Sequence, residues 1–374
     1  MKYLICIFLL TFKLSFSQSL YPEAEIDKVV THFMTTHKVV GLQIAITKNE
    51  KIVFQKSYGY ADKENKIAVN NNHLFRIASL SKAITAVGIY KLIEQGKLKL
   101  EDQVFGQNGV LQNDFGTPKK VLESITIQQL LQHTTGLWTN DNNDPMFRNN
   151  AININDLIRD EITKNASSIK KVPNVYAYSN FGYAILGRVI EKISGKSYEK
   201  YIQDAILKPI RLHSIKLAQK NELGTWQDEV KYYSDAFNPY NMNVNRMDAH
   251  GGWIASATDY VKLMAYMDGF GHTEDVLLPE TIQKMTTPSA QNQNYASGWA
   301  VNSNNNWWHT GSLPGTVSEM IRGSNGFNWV VLCNSSSESP NIFSDLDNLL
   351  WPIINNSDIN WKTKIFMENI RRRR

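Results

Sequence analysis

The segment Ser79-Leu80-Ser81-Lys82-Ala83-Ile84-Thr85-Ala86-Val87-Gly88-Ile89-Tyr90-Lys91-Leu92-Ile93-Glu94-Gln95-Gly96 is where the chain changes texture. Ile84, Val87, Leu92 and Ile93 recur at helical spacing, and Gly96 is an ordinary helix terminator. Upstream the pattern alternates instead: Leu42, Ile44 and Ile46, a turn at Asn49-Glu50, then Ile52 and Phe54, which reads as a β-hairpin. Ahead of it, Ile26, Val29, Val30 and Phe33 mark a helix. Downstream, to about Tyr260, helical periods and polar loops prevail, including residues 127–132, 183–193 and 197–206. Towards the other end, short strands are predicted over 297–301, 305–309, 316–322 and 327–333, with Gly323-Ser324-Asn325-Gly326 turning between the last two. A helix follows from about Asn341, with Ile342, Leu346, Leu349 and Leu350 on one face. Strands at both ends with helices between predict an α/β (α+β) fold. One largely antiparallel sheet is built from both chain ends and flanked by N- and C-terminal helices, and an all-helical domain is inserted between them. The expected boundaries are 18–78 and 255–368 for the α/β domain and 79–254 for the mainly helical one. The Asn-rich stretch 140–150 reads as a loop.

At 374 residues and 42% hydrophobic composition, the chain can bury a large core, and disorder is not its default state. Residues 1–17 read as a secretory signal: Lys2, an apolar run over 3–12, then Ser15-Phe16-Ser17 as a small-residue cleavage site before Gln18. The run is too short to span a bilayer and is interrupted by Lys13. The expectation is an exported protein, periplasmic or extracellular, with no stable membrane span. Cys6 leaves with the signal, so Cys333 remains alone and no intramolecular disulfide is available. Its setting in Phe327-Asn328-Trp329-Val330-Val331-Leu332-Cys333 reads as a buried strand residue rather than a nucleophile. The formal charge is +5, but Lys2, Lys13 and Arg371 to Arg374 carry six of the positive charges, leaving a body of −1. Nucleic acid is therefore excluded as a partner of the folded body, and 369–374 reads as a solvated basic tail.

Three short motifs carry the chemistry: Ser79-Leu80-Ser81-Lys82, Tyr178-Ser179-Asn180 and His309-Thr310-Gly311. Ser-x-x-Lys also occurs at Ser167/Lys170, Ser168/Lys171 and Ser197/Lys200, so spacing alone says little. Ser79 stands out because it opens a helix, where its Oγ lies near unpaired backbone donors and Lys82 follows one turn on. Serine is a poor nucleophile without a proton acceptor. Lys82, if desolvated, can accept that proton, or it can stay charged and lower the pKa of Tyr178. Tyr178 is the only one of the 16 tyrosines followed two residues later by Asn. Its phenol can relay a proton to a leaving group, while Asn180 can orient Lys82 and bind a substrate carbonyl. Glycine on a strand marks close approach of a backbone or ligand, so His309, Thr310 and Gly311 can offer an edge to an extended acyl chain. The backbone N–H groups of Ser79 and Ser312 would then form an oxyanion hole. The histidines show no His-x-x-x-His pair, so zinc is not expected, and Gly-x-Ser-x-Gly is absent.

Taken in order, these residues resemble the penicillin-recognising serine hydrolases, specifically the class C β-lactamase-like branch. That branch includes soluble D-alanyl-D-alanine carboxypeptidases, D-amino-acid peptidases and several esterases. The likeness runs from Gly41-Leu42-Gln43-Ile44-Ala45 and Phe75-Arg76-Ile77-Ala78 through Leu130-Leu131-Gln132-His133-Thr134-Thr135-Gly136-Leu137 and Tyr178-Ser179-Asn180-Phe181-Gly182-Tyr183. It continues over Gly251-Gly252-Trp253-Ile254-Ala255-Ser256 to the His309 motif. The resemblance implies an active site between an α/β and a helical domain, with Ser79 as nucleophile, Lys82 and Tyr178 in proton transfer and Asn180 in positioning. His133-Thr134-Thr135-Gly136 is similar to a family segment that reads as structural, its Gly an ordinary helix C-cap. β-Lactamases of this branch usually carry Lys-Thr-Gly where this chain has His309-Thr310-Gly311, and a neutral histidine supplies no cation at pH 7. The expected function is thus an exported serine hydrolase acting through an acyl-enzyme. A D-Ala-D-Ala-type peptide is the favoured substrate, with an esterase or weak class C-type β-lactamase as alternatives; a non-catalytic penicillin-binding receptor is disfavoured, because a pure binder needs no paired Lys and Tyr beside the serine. No cofactor is expected; the partner is a small peptide or acyl substrate, cell-wall peptide included, and the protein a monomer.

Overall fold

The computed structural model describes residues 22–141, 144–148, 151–219 and 224–361. The signal segment and basic tail read from the sequence lie outside the described residues. The strands are β1 (Gly41–Lys48), β2 (Lys51–Asp62), β3 (Ile67–Ala68), β4 (Phe75–Arg76), β5 (Lys216–Leu217), β6 (Trp253–Ala255), β7 (Ala300–Val301), β8 (Trp307–Leu313), β9 (Thr316–Arg322) and β10 (Phe327–Cys333). The helices are α1 (Pro22–His37), α2 (Ser81–Glu94), α3 (Ile127–Leu131), α4 (Ile154–Thr163), α5 (Asn180–Ser194), α6 (Tyr198–Ile202), α7 (Asp248–Gly251), α8 (Ala257–Met264), α9 (Pro279–Thr286), α10 (Ile342–Asp347) and α11 (Trp351–Ile354).

Seven strands form one sheet in the order β3-β2-β1-β10-β9-β8-β7, every neighbouring pair antiparallel. The two chain ends meet at its centre, where Leu42 pairs with Cys333 and Lys48 with Phe327. Period-two alternation sorts β10 between two cores. Trp329, Val331 and Cys333 face a cluster with Ile26, Val30 and Phe33 of α1 and Ile342 and Leu346 of α10. Val330 and Leu332 face the larger cluster with α2, α5 and α8. The expected hairpin turns at Asn49 and Glu50, both at positive φ (48° and 63°), the conformation a two-residue type I′ turn needs.

Three expectations are corrected. The segment expected over 297–301 is a strand only at Ala300–Val301, because Gly298 sits at φ +79 with the Lys82 carbonyl 2.8 Å from where a Cβ would stand. That glycine is committed to packing on α2. The strand expected over 305–309 instead runs Trp307–Leu313; Thr310-Gly311-Ser312 has weak strand propensity of its own and is held by its ladder with β9. A second sheet, β4-β6-β5, has strands of two or three residues, too short to leave a readable period. It holds β4 immediately ahead of Ser79.

Glu319, in mid-β9, is fully buried and neither carboxyl oxygen has a hydrogen-bond partner. Burial first, and then the Asp347 carboxyl, holds its pKa well above the usual range, so the folded protein keeps it protonated. An unpartnered buried polar group costs about 1–3 kcal/mol. Glu319→Met is accordingly expected to raise the free energy of urea unfolding by about that amount. The unfolded chain ionises Glu319 while the folded one does not, so its contribution is lost as pH rises above the ordinary glutamate range. That slope should be shallower in the variant, and a lowered urea midpoint would contradict this account.

Candidate active site

Ser79 lies in a 3-10 turn, Ala78–Leu80, that runs directly into α2. Ala78 is held at φ +48, a conformation costly for a residue with a Cβ. Gly311 on β8 explains how the turn is held: a Cβ there would stand 2.7 Å from the Ile77 carbonyl and 3.0 Å from Ala78 Cβ. The glycine of His309-Thr310-Gly311 therefore makes room for the backbone that carries Ser79, and Ser318 Oγ donates to the same Ile77 carbonyl at 2.9 Å.

Lys82, one turn on, is fully buried. Its Nζ lies 3.0 Å from Ser79 Oγ, 2.7 Å from Asn180 Oδ1 and 3.0 Å from the His250 carbonyl, so each of its three possible donors has an acceptor. Burial lowers its pKa to about 7, partly opposed by the Asp144 carboxylate. Tyr178 closes the group: it lines the cleft beside Ser79, and burial raises its pKa well above the ordinary phenol value, with Ser79 opposing. Lys82 Nζ sits 4.8 Å from the centre of its ring. Asn180 opens α5, whose N-cap Ser179 accepts from the Gly182 N–H. Its Nδ2 donates to Asn140 Oδ1 at 2.9 Å and Asp144 Oδ2 at 2.8 Å, which fixes Oδ1 towards Lys82.

β8 forms one wall. Pro314-Gly315 is a two-residue turn, so Leu313 and Thr316 close the hairpin, and ladder alternation leaves the N–H of Ser312 pointing away from β9. β7 pairs only with Trp307 and Trp308, so the edge at Thr310 to Ser312 is open. The resulting cleft is lined by Ser79, Tyr178, Asn180, His309, Thr310 and Ser312, with Phe147, Leu313 and Phe343 at apolar positions. All the residues singled out in the three motifs thus converge on one place. The rival Ser-x-x-Lys pairs do not: Ser197 caps α6, and Ser167 lies in an exposed 3-10 turn.

Asp144, His133, Tyr295 and the His250 carbonyl escaped the sequence reading as site residues. Asp144 sat in what read as an Asn-rich loop, and a backbone carbonyl leaves no sequence signal. His133, at φ +57, takes the left-handed position directly after the α3 C-cap Gln132; Gly136, expected there, is also left-handed at φ +67 but three residues further on. Its Nδ1 accepts the Ser179 N–H at 3.1 Å, and its Nε2 lies 3.2 Å from the Tyr295 hydroxyl. The tyrosine hydroxyl in turn lies 3.2 Å from His309 Nε2, and His309 Nδ1 is 2.6 Å from the Thr310 carbonyl. Among the described residues no group of His, Cys, Asp and Glu could hold a metal ion, and no helix is long and apolar enough to cross a membrane.

Gly311→Ala is expected to push the Ile77–Ala78 backbone off β8. Stability should fall by about 1–3 kcal/mol, and the rate of covalent labelling of Ser79 by a fluorophosphonate should fall roughly tenfold or more, since misplacement by about 1 Å is that costly. Unchanged unfolding and labelling rates would contradict the packing role.

The Beta-lactamase family model matches residues 26–349. Protein flp of Staphylococcus aureus (strain N315) is 27% identical over 327 residues, 84% of this chain and 64% of that protein; the chain thus spans somewhat under two thirds of that relative's length. Among solved structures, the octameric penicillin-binding protein homologue from Pyrococcus abyssi superposes with a TM-score of 0.72 at 24% identity, covering 89% of this chain and 78% of the other. D-Amino acid amidase from Ochrobactrum anthropi SV3 gives 0.71 at 21%, covering 89% and 99%. With the family model spanning both sheet-forming ends, the helical middle and all three motifs, the chain belongs to the Beta-lactamase family.

Proposed function

We propose that the protein hydrolyses amide or ester bonds through an acyl-enzyme on Ser79, with Lys82 as the base. The observation that carries this is the Lys82 amine, 3.0 Å from Ser79 Oγ in surroundings that bring its pKa to about 7. As an ammonium, Lys82 donates to all three of its acceptors. As a neutral amine it keeps two N–H donors for Asn180 Oδ1 and the His250 carbonyl and turns its lone pair to the Ser79 hydroxyl. Either protonation state fits without rearrangement. Ser79 Oγ attacks the acyl carbon while its proton passes to Lys82. The charge gathering on the carbonyl oxygen is met by the N–H groups of Ser79 and Ser312. Tyr178, kept protonated by burial, gives its proton to the leaving nitrogen or oxygen and regains one from Lys82. Water then attacks the acyl-enzyme, its proton returning along the same pair, and the acyl group leaves as an acid.

The motif order favours a D-Ala-D-Ala-type peptide, but the cleft favours uncharged amides and esters. None of its described lining residues is Lys or Arg, so the terminal carboxylate of such a peptide, like that of a β-lactam, finds no fixed cation there. Phe147 and Phe343 suit an apolar acyl side chain. The Ochrobactrum relative, whose structure holds L-phenylalanine amide, supports the amide reading. The N-terminal signal pattern supports an exported setting, where cell-wall peptides are accessible amides.

In full-length protein, Ser79→Ala is expected to abolish fluorophosphonate labelling and lower kcat/KM by roughly 10³-fold or more while leaving the fold intact. Mass spectrometry placing the adduct on Ser167, Ser168 or Ser197 would reject the assignment. The base must be neutral, so kcat/KM should rise with pH through about 7, where Lys82 deprotonates. Asp144→Asn removes the charge that raises the Lys82 pKa, and its acidic limb should move to lower pH; a shift upward would argue against Lys82 as base.

A further inference from the structure

The chain of bonds from Ser179 through His133 and Tyr295 to His309 has a direction set by its two ends. At one end the donor is a backbone N–H, so His133 Nδ1 must accept and its ring proton must sit on Nε2, facing Tyr295. At the other end the Thr310 carbonyl can only accept, so His309 Nδ1 must carry a proton. The Tyr295 hydroxyl then receives the His133 Nε2–H and gives its own proton to the lone pair on His309 Nε2. The two imidazoles are therefore held as opposite neutral tautomers by one phenol. We infer that Tyr295 is a positioning residue that fixes His309 as the neutral Nδ1–H tautomer and so withholds from the cleft the cation a carboxylate-bearing substrate would need.

Charging His309 would make both imidazoles donors to one phenol oxygen. The Tyr295 O–H would lose His309 as its acceptor and turn to the Tyr183 oxygen, whose own proton goes to the Leu131 carbonyl. The groups facing His309 give the charged form no help. They are Lys82, Tyr178 and Tyr295, with His133, Tyr176 and Tyr183 gathered behind Tyr295. No carboxylate is among them. Burial, followed by the Lys82 charge, pushes the His309 pKa down to about 3, with the bond to the Thr310 carbonyl opposing. The His309-Thr310-Gly311 strand thus offers no cation near neutral pH.

The specificity consequence rests on the acyl-enzyme reading above, but the tautomers do not, and the test separates the two. Full-length protein with ¹⁵N-labelled histidine should show His309 as the Nδ1–H tautomer and His133 as the Nε2–H tautomer, neither titrating between pH 5 and 8. In Tyr295→Phe, the His309 Nε2 lone pair loses its donor, and titration of that ring should move up from the wild-type position, with burial and the Lys82 charge still holding it below the ordinary histidine range. The ratio of kcat/KM for a carboxylate-bearing D-peptide to that for an uncharged acyl ester should then rise as pH falls from 7.5 to 5.5, where the wild type stays flat. Wild-type His309 found as the Nε2–H tautomer, or titrating near its ordinary value, would overturn the inference whether or not the variant folds. A folded variant with unchanged His309 resonances would also overturn it. Failure of Ser79 to acylate would instead remove the hydrolase reading and leave the tautomer result standing.

Discussion

The structure depends on one cation buried where water does not reach it. Lys82 is buried in the first turn of α2 with no ion pair in contact among the described residues, and an ammonium so placed is tolerated only if it is fully hydrogen-bonded or gives up its proton. Here it has both routes. Ser79, Asn180 and the His250 carbonyl satisfy it when charged, and burial lowers its pKa to about 7, which brings the neutral form within reach. Each acceptor comes from a different part of the fold: the 3-10 turn ahead of α2, the start of α5, and α7. Satisfying one amine therefore fixes three segments against one another, which places the nucleophile, the carboxamide and the cleft floor by a single constraint.

The sheet supplies the remaining precision. Because the two chain ends pair at β1 and β10, β8 is set in register by its ladder with β9 and presents an open edge beside Ser79. Gly311 removes the Cβ that would keep the Ser79 turn away, and the strain at Ala78 is held by that contact together with β4 just ahead of it, which is paired to β6. Rigid supports around a strained turn are the usual condition for a preorganised oxyanion site.

Much of this was legible in the residues. Alternation marked β1, β2, β9 and β10, helical spacing marked α1, α2, α5 and α10, and the three motifs in order marked the residues that converge on Lys82. What escaped was set by contacts distant in sequence. Strands of two residues carry no period, so β4 and β5 were invisible. Asp144 touches Asn180 across 36 positions, and His133 reaches Tyr295 across 162; neither has a local pattern. The His309 motif was read as a neutral ring in place of a lysine, but nothing local showed that Tyr295 and the Thr310 carbonyl engage both of its nitrogens. Hydrogen-bond direction decides the protonation of a buried imidazole, and direction is a property of the assembled network.

The central claim is that Lys82 is poised between charged and neutral forms by burial. It is tested most directly by ¹³C NMR titration of the lysine Cε resonances in full-length protein, with Lys82 assigned by comparison with Lys82→Arg. The account predicts one lysine titrating near pH 7 and absent from the variant. A Lys82 resonance that titrates with the surface lysines near 10.4 would contradict it.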